Sequence, residues 1–184
     1  MRTNEAHRPS PRVPAAGVGP RKTTSHTATS RGSIQVQECL LLSGLSPADR
    51  ATVVSAAHPI QFLPRQKMFR QGEPVRYVLL LLSGCVKLTQ IASNGSEVIL
   101  RLGGAGDAIG TLNSHLADNH RSTAEALQLS IALAWDVSVF EALTTRFPRL
   151  RCNTVNILHR RLTDMEQRFR EICTEKVAPR LRKQ

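Results

Sequence analysis

The 184-residue chain predicts a mainly β domain with flanking α-helices, and three observations carry that prediction. From Ile60 to Trp135, short apolar runs are broken by turn residues at spacings of roughly eight to twelve, which is the pattern of an all-β roll or sandwich. Before them stands a helix start, Ser46-Pro47-Ala48-Asp49. After them Val155, Leu158, Leu162, Met165, Phe169 and Ile172 recur at spacings of 3, 4, 3, 4 and 3, a narrow a/d ridge on a long helix.

The elements follow in order. Residues 1–34 hold Pro9, Pro11, Pro14 and Pro20 among Ser, Thr, Arg and Gly, with too few large apolar side chains to offset ordering entropy, so a disordered basic tail is expected. Order is expected from about Ile34. Ser46 caps a short helix, Pro47 suits its first turn, and Asp49 faces its free amides; the helix ends before Pro59. The strands predicted next are Gln66–Phe69, Tyr77–Leu82, Cys85–Gln90, Glu97–Leu102, Ala108–Ile109, Thr123–Ala126 and Ser130–Trp135. Gln71-Gly72-Glu73-Pro74, Ser83-Gly84 and Ser93-Asn94-Gly95 supply turns, and Asn94-Gly95 is a hairpin signal because both residues tolerate positive φ. Asp136 is the expected cap of an amphipathic helix carrying Val139, Phe140 and Leu143 and ended by Phe147-Pro148. The a/d ridge then leaves one narrow apolar stripe among Arg160, Arg161, Asp164, Glu166, Arg168, Arg170 and Glu171. Such a stripe fits a partner helix; packing against the chain's own roll is the alternative.

Charge is unevenly spread. Of a net +11, residues 1–34 contribute six Lys/Arg against one acid, residues 145–184 eleven against four, and the middle eight against nine. Basic ends fit proximity to nucleic acid, or equally a solvated tail and helix face. Cys39, Cys85, Cys152 and Cys173 are far apart and form no C-x-x-C pair, so reduced thiols in a cytoplasmic protein are expected and an iron–sulfur cluster is not. The longest apolar run, Val78–Leu82, is too short to span a bilayer, and no membrane partner is expected. His58, His115, His120 and His159 are scattered. No His-x-His cluster supports a cupin-like metalloenzyme, no nucleophile arrangement stands out, and no enzyme or metal site is expected.

Taken together, Gln71-Gly72-Glu73, Leu82-Ser83-Gly84-Cys85-Val86-Lys87-Leu88, Gly106-Asp107-Ala108-Ile109-Gly110, Arg121-Ser122, and the helix from His159-Arg160-Arg161-Leu162 to Glu175-Lys176-Val177 resemble the Crp/Fnr family of bacterial transcription regulators. The likeness runs from about residue 38 to the end. It implies a cyclic-nucleotide-binding-type β-roll, a long dimerisation helix and a winged helix-turn-helix. The organisation so expected is a basic tail at 1–34, a sensor domain at 35–147, a dimerisation helix at 148–175, and at 176–184 the stub of a DNA-binding domain. A chain lacking that domain is expected not to read DNA specifically, touching it only nonspecifically or through a partner.

The resemblance further implies that Gly110, Thr111 and Leu112 open a phosphate-binding cassette, that Arg121 pairs with a phosphate and that Ser122 adds a hydroxyl. Val155, Leu158, Leu162, Met165, Phe169 and Ile172 become the seam of a homodimer, or of a heterodimer with a full-length relative. Cyclic-AMP-responsive members carry Glu where Thr111 stands, and Thr-Ser on the dimer helix where Met165-Glu166 stand. Both departures argue against cyclic AMP and leave another cyclic nucleotide or small anion as the expected ligand. Alternatives are a small-anion module without a DNA role, and a nonspecific polyanion binder.

Overall fold

A computed structural model describes residues 39–112 and 119–177, with side chains described as far as Thr174. The expected basic tail at 1–34, His115 and residues 178–184 lie outside the described residues.

A 3-10 turn at Leu40–Leu42 leads to α1 (Pro47–Ser55), whose Ser46 hydroxyl accepts from the Asp49 amide at 3.1 Å, as the capping pattern requires. Eight strands follow: β1 (His58–Phe62), β2 (Lys67–Phe69), β3 (Tyr77–Ser83), β4 (Val86–Ile91), β5 (Glu97–Gly103), β6 (Ala108–Ile109), β7 (Thr123–Ala126) and β8 (Ser130–Asp136). Two helices close the described chain, α2 (Val137–Arg146) and the 30-residue α3 (Pro148–Val177).

The strands make two antiparallel four-stranded sheets, in the orders β1-β8-β3-β6 and β2-β7-β4-β5. Their inner faces share one core of Phe62, Phe69, Leu79, Leu81, Val86, Leu88 and Ile109. A second core lies on the outer face of the first sheet, where Val78, Leu80, Leu133 and Trp135 meet Leu41, Leu42, Val53, Phe140, Leu150 and Ile157. The run Val78–Leu81 is apolar throughout because its residues point alternately into the two cores, so β3 is buried on both faces. On β8 the alternation is by size. Ala132 and Ala134 face the crowded roll interior, while Leu133 and Trp135 fill the space under the helices. The Trp135 indole donates to the Val53 carbonyl at 2.7 Å, tying α1 to the sheet.

Three expectations need correction. β1 is not among the predicted strands; Pro59 cannot donate to a ladder, and β1 lies at the edge of its sheet, where one missing donor is tolerated. In the Ala92–Ser96 turn only Gly95 takes the left-handed conformation, at φ 82°; Asn94 instead accepts from the Ser96 amide and hydroxyl through its side chain. Asp136 stands at the start of α2 but makes no side-chain cap bond.

Helix α3 divides along its length. Leu150, Asn153, Thr154 and Ile157 are buried against the chain's own core, and the Asn153 amide donates to the Leu41 and Ser43 carbonyls at 3.0 and 2.7 Å. From Leu162 to Thr174 every residue is exposed. A helix of this length runs about 45 Å. Its distal half therefore carries its apolar ridge largely exposed.

Candidate effector and pairing site

Gly110 sits between two environments. On one side a Cβ placed there would come within 2.9 Å of the Phe69 ring, and its φ of 83° suits only glycine. Phe69 itself stacks on His120, with ring centroids 3.7 Å apart and planes at 9°. On the other side the Gly110 carbonyl accepts from Arg161 of α3 at 3.0 Å, and the same guanidinium donates to the Ala108 carbonyl. One glycine thus joins the roll interior to α3.

His120 is buried, its amide donates to the Glu73 carbonyl at 2.8 Å, and its pKa is held down to about 4 by burial, against the pull of Glu73. The imidazole is neutral at physiological pH. It faces a cavity of about 300 Å³ bordered by Phe62, Met68, Glu73, Arg76 and Tyr77.

A larger cavity, about 580 Å³, opens between β5, the Gly106–Ala108 corner and α3. Here Asp107 accepts from the Gly104 amide at 2.9 Å and pairs with Arg101 at 3.8 Å. Arg101 also donates to the Ala108 carbonyl at 3.1 Å, the acceptor it shares with Arg161. Burial and the neighbouring Arg101 push the Arg161 pKa down to about 10, with Asp107 opposing. Burial lowers that of Arg101 as well, which Asp107 resists. Two positive groups are held close together in a place partly shut from water. Further along, Arg168 donates to the Leu100 carbonyl at 2.6 Å, pinning β5 to α3.

The expected cassette residues are brought together only in part. Gly110 and Thr111 are half-buried, and the Leu112 side chain is 3% exposed, packed into the helix-side core. The residues that follow, 113–118, lie outside the described residues. Ser122 is half-buried just before β7. Arg121 is exposed, its carbonyl accepts from Gln90 at 3.3 Å, and its side chain lines neither cavity. Of the expected seam, Val155, Leu162, Met165, Phe169 and Ile172 are 50–69% exposed, whereas Leu158 is half-buried against the chain's own core. Arg101 was missed. Its one signal was a charged residue inside the otherwise apolar Val98-Ile99-Leu100-Arg101-Leu102.

Residues 59–147 match the family of cyclic nucleotide-binding domains. The chain is 28% identical over 106 residues to Electron transport regulator A of Shewanella oneidensis, covering 58% of this chain and 41% of that protein. It is 24% identical over 144 residues to the CRP-like cAMP-activated global transcriptional regulator of Mycobacterium tuberculosis, covering 78% and 64%. In structure it is similar to the Catabolite Activator Protein of Thermus thermophilus, with a TM-score of 0.65 and 27% identity over 73% of this chain and 63% of that one. The chain carries a cyclic nucleotide-binding domain and is similar to regulators of the Crp/Fnr family. Its two sheets and long helix are the cyclic nucleotide-binding β-roll and following helix of that family, as the sequence resemblance implied. It spans about two-fifths of the Shewanella relative's length and just under two-thirds of the Mycobacterium one's. Among the described residues there is no group of three or more potential metal ligands, and no helix is long and apolar enough to cross a membrane.

Proposed function

We propose that this chain is the effector-sensing and dimerisation part of a Crp/Fnr-type transcription regulator, working by binding and not by catalysis. The observation that carries the reading is the bare ridge Leu162, Met165, Phe169 and Ile172, at a/d spacing, directly beyond a cavity shared by the roll and the same helix. Exposing four large apolar side chains on a lone helix is unfavourable by about 1.5–3 kcal/mol each relative to burial, and a second copy of the helix offers a matching stripe. Effector binding against α3 then acts on the geometry of the pair, because Leu162 and Met165 line the cavity and also belong to the ridge. Base reading is assigned to none of the described residues; the exposed Arg160 and Arg170 give only salt-sensitive attraction to phosphates. Residence in the cytoplasm goes with that role.

Sedimentation equilibrium on the full chain is the test. A dimer at tens of micromolar is expected, with the double substitution Leu162→Glu, Phe169→Glu weakening association at least 100-fold, on the order of 3 kcal/mol. A wild-type monomer at that concentration overturns the pairing.

A further inference from the structure

The cavity between β5 and α3 is unusual in what it lacks. Its fifteen lining residues include no Ser, Thr, Asn, Gln, Tyr or Trp; the polar side chains are four guanidinia, Arg101, Arg160, Arg161 and Arg168, and two carboxylates, Asp107 and Asp164. The rest is mostly apolar. Arg101 and Arg161 crowd one carbonyl, that of Ala108, and the carboxylate paired with Arg101, Asp107, stands 3.8 Å from it, well beyond the roughly 2.7–2.9 Å of a tight charge-assisted bond. Asp107 is also shared with the Gly104 amide. Around Arg101 three cations, Arg101, Arg161 and Arg168, face two anions, Asp107 and Asp164, which leaves one positive charge unneutralised in a partly desolvated place.

A ligand's own polar groups must be met inside such a cavity or their desolvation counts against binding. A molecule rich in hydroxyls and ring nitrogens finds no side-chain hydroxyl or amide here. One anionic head and an apolar remainder are what the lining can satisfy. We infer that the cavity binds a small organic monoanion, a carboxylate with an apolar body, whose carboxylate joins Arg101 beside Arg161 while the body lies against Leu88, Leu100, Leu158 and Met165. This rests on the sensing role proposed above and assigns the ligand's charge to Arg101, not to Arg121. The volume of about 580 Å³ suits such a ligand.

The test is calorimetric titration of the full chain with octanoate and phenylacetate, set against cyclic AMP and cyclic GMP. Carboxylate binding that falls at least tenfold in Arg101→Met and is unchanged in Arg121→Ala is the expected result. Should Arg101→Met not fold, Leu100→Glu on the exposed edge strand sets a negative charge at the cavity and is expected to give the same loss. Binding of neither carboxylate, or carboxylate binding indifferent to Arg101→Met and Leu100→Glu, overturns the inference. Cyclic nucleotide binding that depends on Arg121 alone overturns it too, yet leaves the sensing role standing. Failure of all four ligands removes both the carboxylate and the nucleotide version of that role.

Discussion

The two halves of α3 are one continuous helix with opposite relations to the protein. From Pro148 to Arg161 the helix is part of its own domain: Leu150 is fully buried, Asn153 satisfies two carbonyls, and Arg161 holds the Gly110 and Ala108 carbonyls. From Leu162 onward the described residues are exposed, with Leu162, Asp164 and Met165 bordering the cavity against β5 and Arg168 reaching back to the Leu100 carbonyl. The two halves bury and expose different stripes of the same helix. Leu150, Asn153, Thr154, Ile157 and Arg161 recur at the 3.6-residue period of a helix lying on a core, while Leu162, Met165, Phe169 and Ile172 keep the 3.5 period of a seam. A single helix can thus be anchored in its own domain at one end and bare at the other, with the cavity at the changeover.

Truncating one apolar residue in each half is the sharpest way to break this comparison. Leu150→Ala removes a side chain from a closed core and is expected to cost about 2–5 kcal/mol, lowering Tm by roughly 5–15 °C. Phe169→Ala, made on the bare half, is expected to leave the unfolding free energy within about 0.5 kcal/mol when measured below the concentration at which the chain pairs. Equal losses in the two variants would mean that the halves do not differ.

Asn153 sharpens the same comparison at smaller scale. Its amide supplies two donors to Leu41 and Ser43, the carbonyls of the turn that precedes α1. Asn153→Ala leaves both acceptors without that partner and is expected to cost about 1–3 kcal/mol in chemical denaturation. Asn153→Asp, an ionised acceptor facing two acceptors, is expected to cost more than the alanine variant. The reverse order would show that the anchor works through packing and not through donated bonds.

The strands were legible because half of each faces a core, and the alternation survives in Val86, Leu88 and in Ala124, Ala126. β1 was not, since Pro59 argues against any strand until its place at a sheet edge is known. The a/d ridge was legible from Leu162 onward, but nothing in its periodicity said where the helix leaves its own domain. Val155 and Leu158 both continue the ridge back toward the domain, and only packing separates them: one is 58% exposed, the other lies against the core. The candidate site was the least legible part. Arg101 and Arg161 stand sixty positions apart and meet at one carbonyl, which no local pattern encodes. Arg121 was singled out by its motif, and the structure leaves it on the surface.

The smallest effect concerns the changeover itself. Gly110, which Arg161 grips from the helix side, leans on the Phe69–His120 stack from the roll side. His120 has its pKa lowered to about 4 in the fold, from an ordinary value of 6.5, because burial disfavours the imidazolium. The unfolded chain therefore takes up a proton at higher pH than the folded one does. The contribution to stability is whole above pH 6.5, falls as the pH drops toward 4, and changes no further below that, where both states are protonated. By pH 5 the loss is about 1–2 kcal/mol. Denaturation of wild type and His120→Leu at pH 7.5 and 5 separates this from the rest of the titration. The variant is expected to lose less between the two values than wild type does, and equal losses would show that the stack beneath Gly110 does not carry the pH dependence.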